Sequence, residues 1–411
     1  MCQARPARMS EGGFVMHGRD VVVMSGVRTA IGKYGGSLKE VPPTELAATV
    51  ARESLKRAAI SPNDVGHVVF GNVIHTEAKD MYLSRVAAVR AGIPVETPAL
   101  TVNRLCGSGL QAIVSAAQVV QLGDADVAVA GGAESMSRAQ YWIGGLRWGQ
   151  RMNNGAVIDA MVGALTDPFD DVHMAITAEN VAKKWGITRE DQDALAVESH
   201  RRAVDATKHC VFKTQIVPIE MKSKNGPVFF ETDEQPRADS TIEALAKMKP
   251  VFDKAGTVTA GNASGINDAA AAVVLMAGDV ARERGLKPIG RLVDYALAGV
   301  EPQYMGIGPV PAVKKLFART GLRVDDIDVF EVNEAFAAQA LAVIRDLGLP
   351  ADRTNPNGSG ISLGHPVGAT GAILTVKALY ELHRTGGHYA LVTMCIGGGQ
   401  GIAAIFERVE N

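Results

Sequence analysis

Cys106 stands in the run Asn103-Arg-Leu-Cys-Gly-Ser-Gly109, directly ahead of the apolar stretch Leu110–Val120. A cysteine attacks as its thiolate. A place at a helix N-terminus, near free N–H groups and the positive end of the helix dipole, favours that form. The neighbouring glycines let a substrate approach the backbone. A lone cysteine is as readily a buried structural thiol, and the local pattern leaves both readings open. His365 lies in a second glycine-dense loop, Asn357-Gly-Ser-Gly-Ile-Ser-Leu-Gly-His-Pro-Val-Gly-Ala-Thr-Gly371, which also feeds a helix. A histidine between glycine-rich arms suits proton transfer in a cleft; its bland reading is a turn residue. Gly358, Gly360 and Gly364 are spaced like a dinucleotide phosphate loop, but no hydrophobic strand precedes them and no acidic residue follows at the required place.

Two further positions belong to the same chemistry. Cys395 ends an apolar strand in Val392-Thr-Met-Cys-Ile-Gly-Gly-Gly-Gln-Gly401. Strand ends beside glycine turns are where α/β folds expose reactive groups, although a core thiol is the alternative. Asn333, in Glu331-Val-Asn-Glu-Ala-Phe336, also follows a strand. Its amide can hold a water or a carbonyl, cap a helix, or both. No Gly-x-Ser-x-Gly elbow is read, so a serine hydrolase is not expected, and neither a Walker loop nor a His-Glu-x-x-His motif is present.

These residues need elements to hold them. Strand and helix signals alternate, which predicts an α/β fold. In the first half, Asp20–Ser25 reads as a strand, Glu45–Ala58 as a helix and Val65–Phe70 as a strand. A helix follows Cys106, then the strand Val127–Ala130 and a turn at Gly131-Gly132. The second half repeats the plan: strand Arg291–Tyr295, helix Pro311–Arg319, strand Ile327–Val332, a helix after His365, strand Leu391–Met394 and the turn Gly397–Gly399. Asn72 matches Asn333, Cys106 matches His365 and Gly132 matches Gly398, each about 260 residues apart. Two related sheets around shared helices would bring the chemistry to the place where the halves meet. Residues 138–260 break the rhythm and read as an inserted substrate-binding lobe, with Thr188 and Asp191 capping a helix.

The chain of 411 residues is too long for one core and fits two or three domains. A hydrophobic fraction of 47% with 21% charged residues is that of a globular enzyme. The net charge of −2 offers nucleic acid no overall basic surface. No apolar run is expected to reach the length of a bilayer-spanning helix, so no membrane partner is expected. Residues 1–18 lack a secretory core and read as a flexible extension. Cys2, Cys106, Cys210 and Cys395 form no Cys-x-x-Cys pair. Neither a metal site nor a disulfide framework is expected, and the location expected is a reducing cytoplasm.

Taken in order, the segments NRLCGSGLQA, GGAESMS, HMAITAEN, GNASGINDAA, NEAFAAQA, NGSGISLGHPVGATG and MCIGGGQG resemble the thiolase family, from about Asp20 to Arg408. The likeness is to its bacterial biosynthetic type, including the β-ketothiolases of polyhydroxyalkanoate synthesis. It implies a five-layered αβαβα core of two similar halves with an inserted loop domain: residues 19–280 with the lobe at about 138–260, then 286–410. It implies a homotetramer with acetyl-CoA, acetoacetyl-CoA and CoA as substrates, and no tightly bound cofactor. The reaction implied is reversible Claisen condensation of acyl-CoAs, with a degradative longer-chain 3-ketoacyl-CoA thiolase as the alternative. Cys106 would carry the acyl group and His365 would take its proton. Cys395 would be the second acid/base, and Asn333 would hold a water that helps stabilise the enolate. The N–H groups of Cys106 and Gly397 would form an oxyanion hole. His173 and Ser264 would line the pantetheine channel, beside Leu165, Met174 and Ala260, and Arg237 and Phe252 would hold the nucleotide end of CoA. The segment Tyr141–Trp148 would help cover the channel. Ala238 and Ala244 depart from the family pattern at the CoA nucleotide. A related decarboxylating or HMG-type condensing enzyme would lack Cys395 in this setting. A non-catalytic acyl-CoA-binding module would not need Cys106, His365 and Cys395 together, and a redox-sensing dithiol is a third reading.

Overall fold

The run Val-Val-Val-Met-Ser-Gly-Val-Arg-Thr is rich in β-branched residues and has no polar face, as suits a strand covered on both sides. In the computed structural model, which describes residues 18–221 and 226–409, it forms β1 (Val21–Thr29), buried throughout. The extension expected at residues 1–18 lies outside the described residues except for Gly18. The first half continues through α1 (Pro43–Ala58), β2 (His67–Gly71), α2 (Leu83–Arg90), β3 (Ala99–Val102), α3 (Ser108–Leu122) and β4 (Val127–Ser135). Pro43 starts α1, where its missing N–H costs nothing. Gly123 ends α3 at φ 83°, a conformation glycine adopts freely.

The lobe contributes α4 (Met174–Trp185) and α5 (Arg189–Lys208) before the chain returns to β5 (Asn267–Ala277). Thr188 caps α5 as expected: its hydroxyl accepts the Asp191 N–H at 3.1 Å, and the Asp191 carboxylate accepts the Thr188 N–H at 3.3 Å. The second half runs β6 (Gly290–Gly299), α6 (Pro309–Thr320), β7 (Val329–Val332), α7 (Ala337–Leu347), α8 (Thr370–Thr385), β8 (Tyr389–Ile396) and β9 (Gln400–Glu407).

The strands follow the order β3-β2-β4-β5-β1-β6-β9-β8-β7, and two short strands at Gly32–Lys33 and Ile216–Val217 pair with β5 and β1. Within the sheet, β1 and β6 join the halves by pairing Val22 with Arg291 and Val23 with Gly290. In each half a parallel pair carries the site: β2 beside β4, and β7 beside β8. Phe70 pairs with Thr101 on β3, whereas on the corresponding side of β7 Phe330 makes an isolated bridge to Thr354. Helix α1 covers the outside of the first sheet and α6 the outside of the second, while α3 and α8 pack against each other between them. This is the five-layered αβαβα arrangement.

The two central helices cross at glycines near their N-termini. A Cβ on Gly109 would lie 2.8 Å from Ala372 N, and one on Gly371 would collide with the Leu110 backbone. Only hydrogen at both positions lets the helix starts, and so the loops bearing Cys106 and His365, come this close. The segment Leu105–Leu122 is long and apolar enough to cross a membrane, with a mean hydropathy of 1.3, contrary to the expectation that no such run exists. It packs between the two sheets, so its apolarity serves the core. The expected turn at Gly131-Gly132 is also corrected: both residues lie within β4. Gly132 pairs with Gly71, as Thr393 pairs with Val332, so the repeat matches Gly132 to Thr393 and not to Gly398. A side chain at Gly132 would collide with the Gly368 carbonyl, which explains the glycine without a turn.

Candidate active site

The turn ahead of α3 is built by its own polar atoms. The Ser108 hydroxyl donates to Leu105 O at 2.7 Å and accepts the Arg104 N–H at 2.8 Å, and Asn103 Oδ1 accepts the Leu105 N–H at 2.9 Å. Leu105 is held at φ 45°, a left-handed backbone that costs a non-glycine residue about 1 kcal/mol. Strain of this kind aims the next side chain, Cys106. The Cys106 thiol enters a narrow cavity of about 50 Å³, together with His365, Cys395 and Gly397. The walls are apolar: Val73, Leu105, Leu165, Met174, Met305, Phe336 and Val367.

Burial pushes the Cys106 thiol up to about 11, against the pull of the Gly397 and Cys106 N–H groups on its sulfur. The expectation that the helix start favours a resting thiolate is therefore corrected; desolvation outweighs it. Burial, with the nearby Cys106, also raises Cys395 far above the ordinary thiol range. His365 is buried too, which lowers it to about 4 and leaves it a neutral imidazole at physiological pH. Its Nδ1 lies 2.7 Å from Thr370 Oγ1, and its Nε2 lies 3.3 Å from Asn333 Nδ2. Asn267 Oδ1 accepts the His365 backbone N–H at 3.0 Å. Asn333 is buried directly after β7, behind the imidazole, and its Oδ1 has no hydrogen-bond partner among the described residues.

The remaining expected residues divide. Leu165, Met174 and Ser264 line the same cavity as Cys106. Arg237 and Ala260 line a second cavity of about 110 Å³ with His200, Asp239 and Ala244; His200 Nδ1 accepts the Arg237 N–H at 3.2 Å. His173 caps α4 by accepting the Ala175 N–H at 3.1 Å, and it stacks on Phe252 with ring centroids 3.8 Å apart. Neither His173 nor Phe252 lines either of these cavities. Tyr141–Ile143 pairs with Val157–Asp159 in an exposed hairpin whose tip carries Trp148, 88% exposed, and none of Tyr141–Trp148 lines the Cys106 cavity. A larger cavity of about 310 Å³ surrounds Cys210 and Asp233, but Asp233 is already paired with Arg28 at 2.7 Å, and no catalytic set converges there. Among the described residues no group of three or more His, Cys, Asp or Glu side chains is placed to hold a metal.

Several contributors escape the sequence analysis. Thr370 and Glu134 act through other residues, and Met305 arrives from a turn with no motif of its own. Gly360-Ile-Ser-Leu-Gly364 has the Gly-x-Ser-x-Gly spacing of a serine nucleophile, which corrects the reading that no such elbow occurs. Ser362 is fully buried, and its hydroxyl accepts from Ser199 at 2.8 Å instead of facing the cavity. Glu134, also fully buried, has its carboxyl pushed up to about 8 by burial, while the N–H groups of Ile74, Val73 and Gly368 pull it down.

Comparison with known proteins bears on this arrangement. The family model for the thiolase N-terminal domain matches residues 21–279, and that for the thiolase C-terminal domain matches residues 286–408. The beta-ketothiolase BktB of Cupriavidus necator is 65% identical, over 95% of this chain and all of that protein. An acetyl-CoA acetyltransferase of Syntrophomonas wolfei is 48% identical over 95% of this chain and all of its own. Among solved structures, human mitochondrial 3-ketoacyl-CoA thiolase in complex with CoA superimposes with a TM-score of 0.93 at 43% identity, covering 95% of this chain and 98% of that one.

Proposed function

The chain belongs to the thiolase family, and from that premise we propose that it catalyses the reversible condensation of two acetyl-CoA to acetoacetyl-CoA and CoA through an acyl group carried on Cys106. It is an acyltransferase. As the Cys106 sulfur attacks the thioester carbonyl, its proton passes to neutral His365. The N–H groups of Gly397 and Cys106 then hold the developing oxyanion. Collapse breaks the C–S bond to CoA, and the departing sulfur takes the Cys395 proton. Cys395 is left as a thiolate, and the same burial that raises its pKa makes it a strong base. It removes an α-proton from the second acyl-CoA, whose enolate oxygen is held by protonated His365 and a water on Asn333. The enolate carbon attacks the acyl carbonyl, the C–S bond to Cys106 breaks, and the departing sulfur takes its proton back from His365. A thioester is already activated, so no tightly bound cofactor is required.

One observation supports this reading above the others: Cys106, His365 and Cys395 enter one cavity with the Gly397 N–H aimed at the Cys106 sulfur. Incubation with acetyl-CoA followed by mass spectrometry should place one acetyl group on the Cys106 peptide. Persistence of that thiol-labile acetyl in Cys106→Ser would reject the assignment. Arg237 and the stacked His173–Phe252 pair serve CoA further from the reacting carbon. The assembly is a homotetramer, supported by the apolar hairpin left uncovered on the single chain, where Tyr141, Trp142, Ile143 and Trp148 are all exposed. Free Cys106, Cys210 and Cys395 support a reducing cytoplasm.

A further inference from the structure

We infer that Glu134 is a positioning residue for His365, its carboxylate tying the loop that carries the imidazole to the loop that walls the Cys106 cavity. The inference rests on the roles proposed for Cys106 and His365. Glu134 lies near the end of β4, fully buried. Its Oε1 accepts from Asn72 Nδ2 at 3.1 Å and from the Ile74 N–H at 3.1 Å. Its Oε2 accepts from the Val73 N–H at 3.0 Å and the Gly368 N–H at 2.9 Å. Burial alone favours the protonated acid, but three of the donors are backbone N–H groups and the Asn72 amide is fixed by donating to Ala133 O at 2.9 Å, so no partner here accepts a carboxyl proton and the four donors hold Glu134 as the carboxylate.

The four donors come from the two halves of the chain. Asn72, Val73 and Ile74 follow β2 in the first half. Gly368 lies in the second half, between His365 and the Thr370 that bonds its ring. Val73 and Val367, the neighbours of these contacts, both face the cavity. The carboxylate is thus a cross-link at the seam where the cavity walls meet. The backbone is seated to match: a Cβ on Gly368 would lie 2.5 Å from Oε2. The loop has no room to approach β4, and the Gly368 bond stops it from receding.

Glutamine has the same shape but cannot do the same work. Each carboxylate oxygen receives two N–H donors, so the amide NH₂ opposes a donor in either orientation. Two of the four contacts are lost: those of Asn72 and Ile74, which loosens the loop after β2, or those of Val73 and Gly368, which frees the His365 loop. A displacement of this kind at a proton-transfer pair can cost about 100-fold in rate. Thiolysis of acetoacetyl-CoA by Glu134→Gln should show kcat lowered on that scale, with KM held within about threefold. The rate of Cys106 alkylation by iodoacetamide should fall in parallel, at an unchanged fraction folded. Glu134→Asp keeps the charge but is one methylene too short to span both loops, and it should behave like Glu134→Gln. If Glu134→Gln is not recovered folded, the same two readouts on Glu134→Asp decide. Wild-type kcat and alkylation rate per folded site in either recovered variant would overturn the inference. His365→Ala is assayed alongside: an unchanged alkylation rate there would reject the role of His365 itself, whereas slowing in His365→Ala alone would reject only the role of Glu134.

Discussion

The Thr370 hydroxyl lies 2.7 Å from His365 Nδ1 and donates its own proton to Pro366 O at 3.0 Å. With that proton committed, Thr370 Oγ1 can only accept, so Nδ1 carries the imidazole proton. The Nε2 lone pair is left facing Asn333 and the cavity. One hydroxyl therefore selects the tautomer that can act as a base. Thr370→Val keeps the shape and loses the acceptor. A hydrogen bond to a group that becomes charged is worth about 1.5–3 kcal/mol, so kcat/KM should fall about 10- to 100-fold, and Thr370→Ser should restore most of it. Equal activity in Thr370→Val and wild type would mean that the tautomer is set elsewhere.

The buried site also predicts an unusual pH profile. His365, lowered to about 4, stays a competent base well below the ordinary histidine range, and Cys106, raised to about 11, stays a thiol well above neutrality. The kcat/KM for thiolysis should be flat across the neutral range, and its acid limb should not fall near the ordinary histidine value of about 6.5. Stability carries the same sign. Below about pH 6.5 the unfolded histidine binds a proton that the folded one refuses, so this group costs stability progressively down to about pH 4 and no more below it. A kcat/KM profile that bends near pH 6.5 and loses that bend in a His365 variant would show that the imidazole is solvated during turnover.

The alternation of strands and helices was legible because buried parallel strands are nearly continuous apolar runs and helices start at recognisable caps. Cys106, His365 and Cys395 were legible because each stands beside glycines that have no reason to cluster unless something approaches the backbone. The Gly131-Gly132 pair misled for the same reason. Glycine serves a turn or a close contact equally well, and here the contact is the Gly368 carbonyl against β4. The protonation state of Cys106 was not legible, since helix position is local in sequence while the desolvation that overrides it comes from residues as distant as Met305. Thr370 and Glu134 were hidden because a positioning residue is defined by its partner, and 234 positions separate Glu134 from Gly368.

The two thiols should separate under mutation. Acyl transfer to Cys106 needs the nucleophile and His365, whereas enolate formation needs the base on Cys395. Cys395→Ala should still become acetylated on Cys106 but lose condensation and α-proton exchange. Exchange of the acetyl-CoA methyl protons in deuterated water, followed by NMR, isolates that step. Normal acetoacetyl-CoA synthesis by Cys395→Ala would require another base in the cavity.

Chain length should be read most softly. The acyl cavity is walled by Leu165, Met174 and Met305, with no polar side chain closing it among these residues. Methionine has no branch and several rotatable bonds, so such a wall yields to an added methylene. Each methylene buried is worth about 0.8 kcal/mol, which limits discrimination between neighbouring lengths to a few-fold unless a rigid wall intervenes. Leu165 is the stiffest of the three, so it is the candidate for such a wall. The kcat/KM for thiolysis of 3-ketoacyl-CoAs with four, five and six acyl carbons should therefore decline by no more than about tenfold per step, and Leu165→Ala should flatten the decline. A fall of several orders of magnitude from four carbons to five would show a closed end to the cavity and a strict acetoacetyl-CoA enzyme. If Leu165→Ala left that fall in place, the closure would come from the methionines, held rigid by the helix start at Met174.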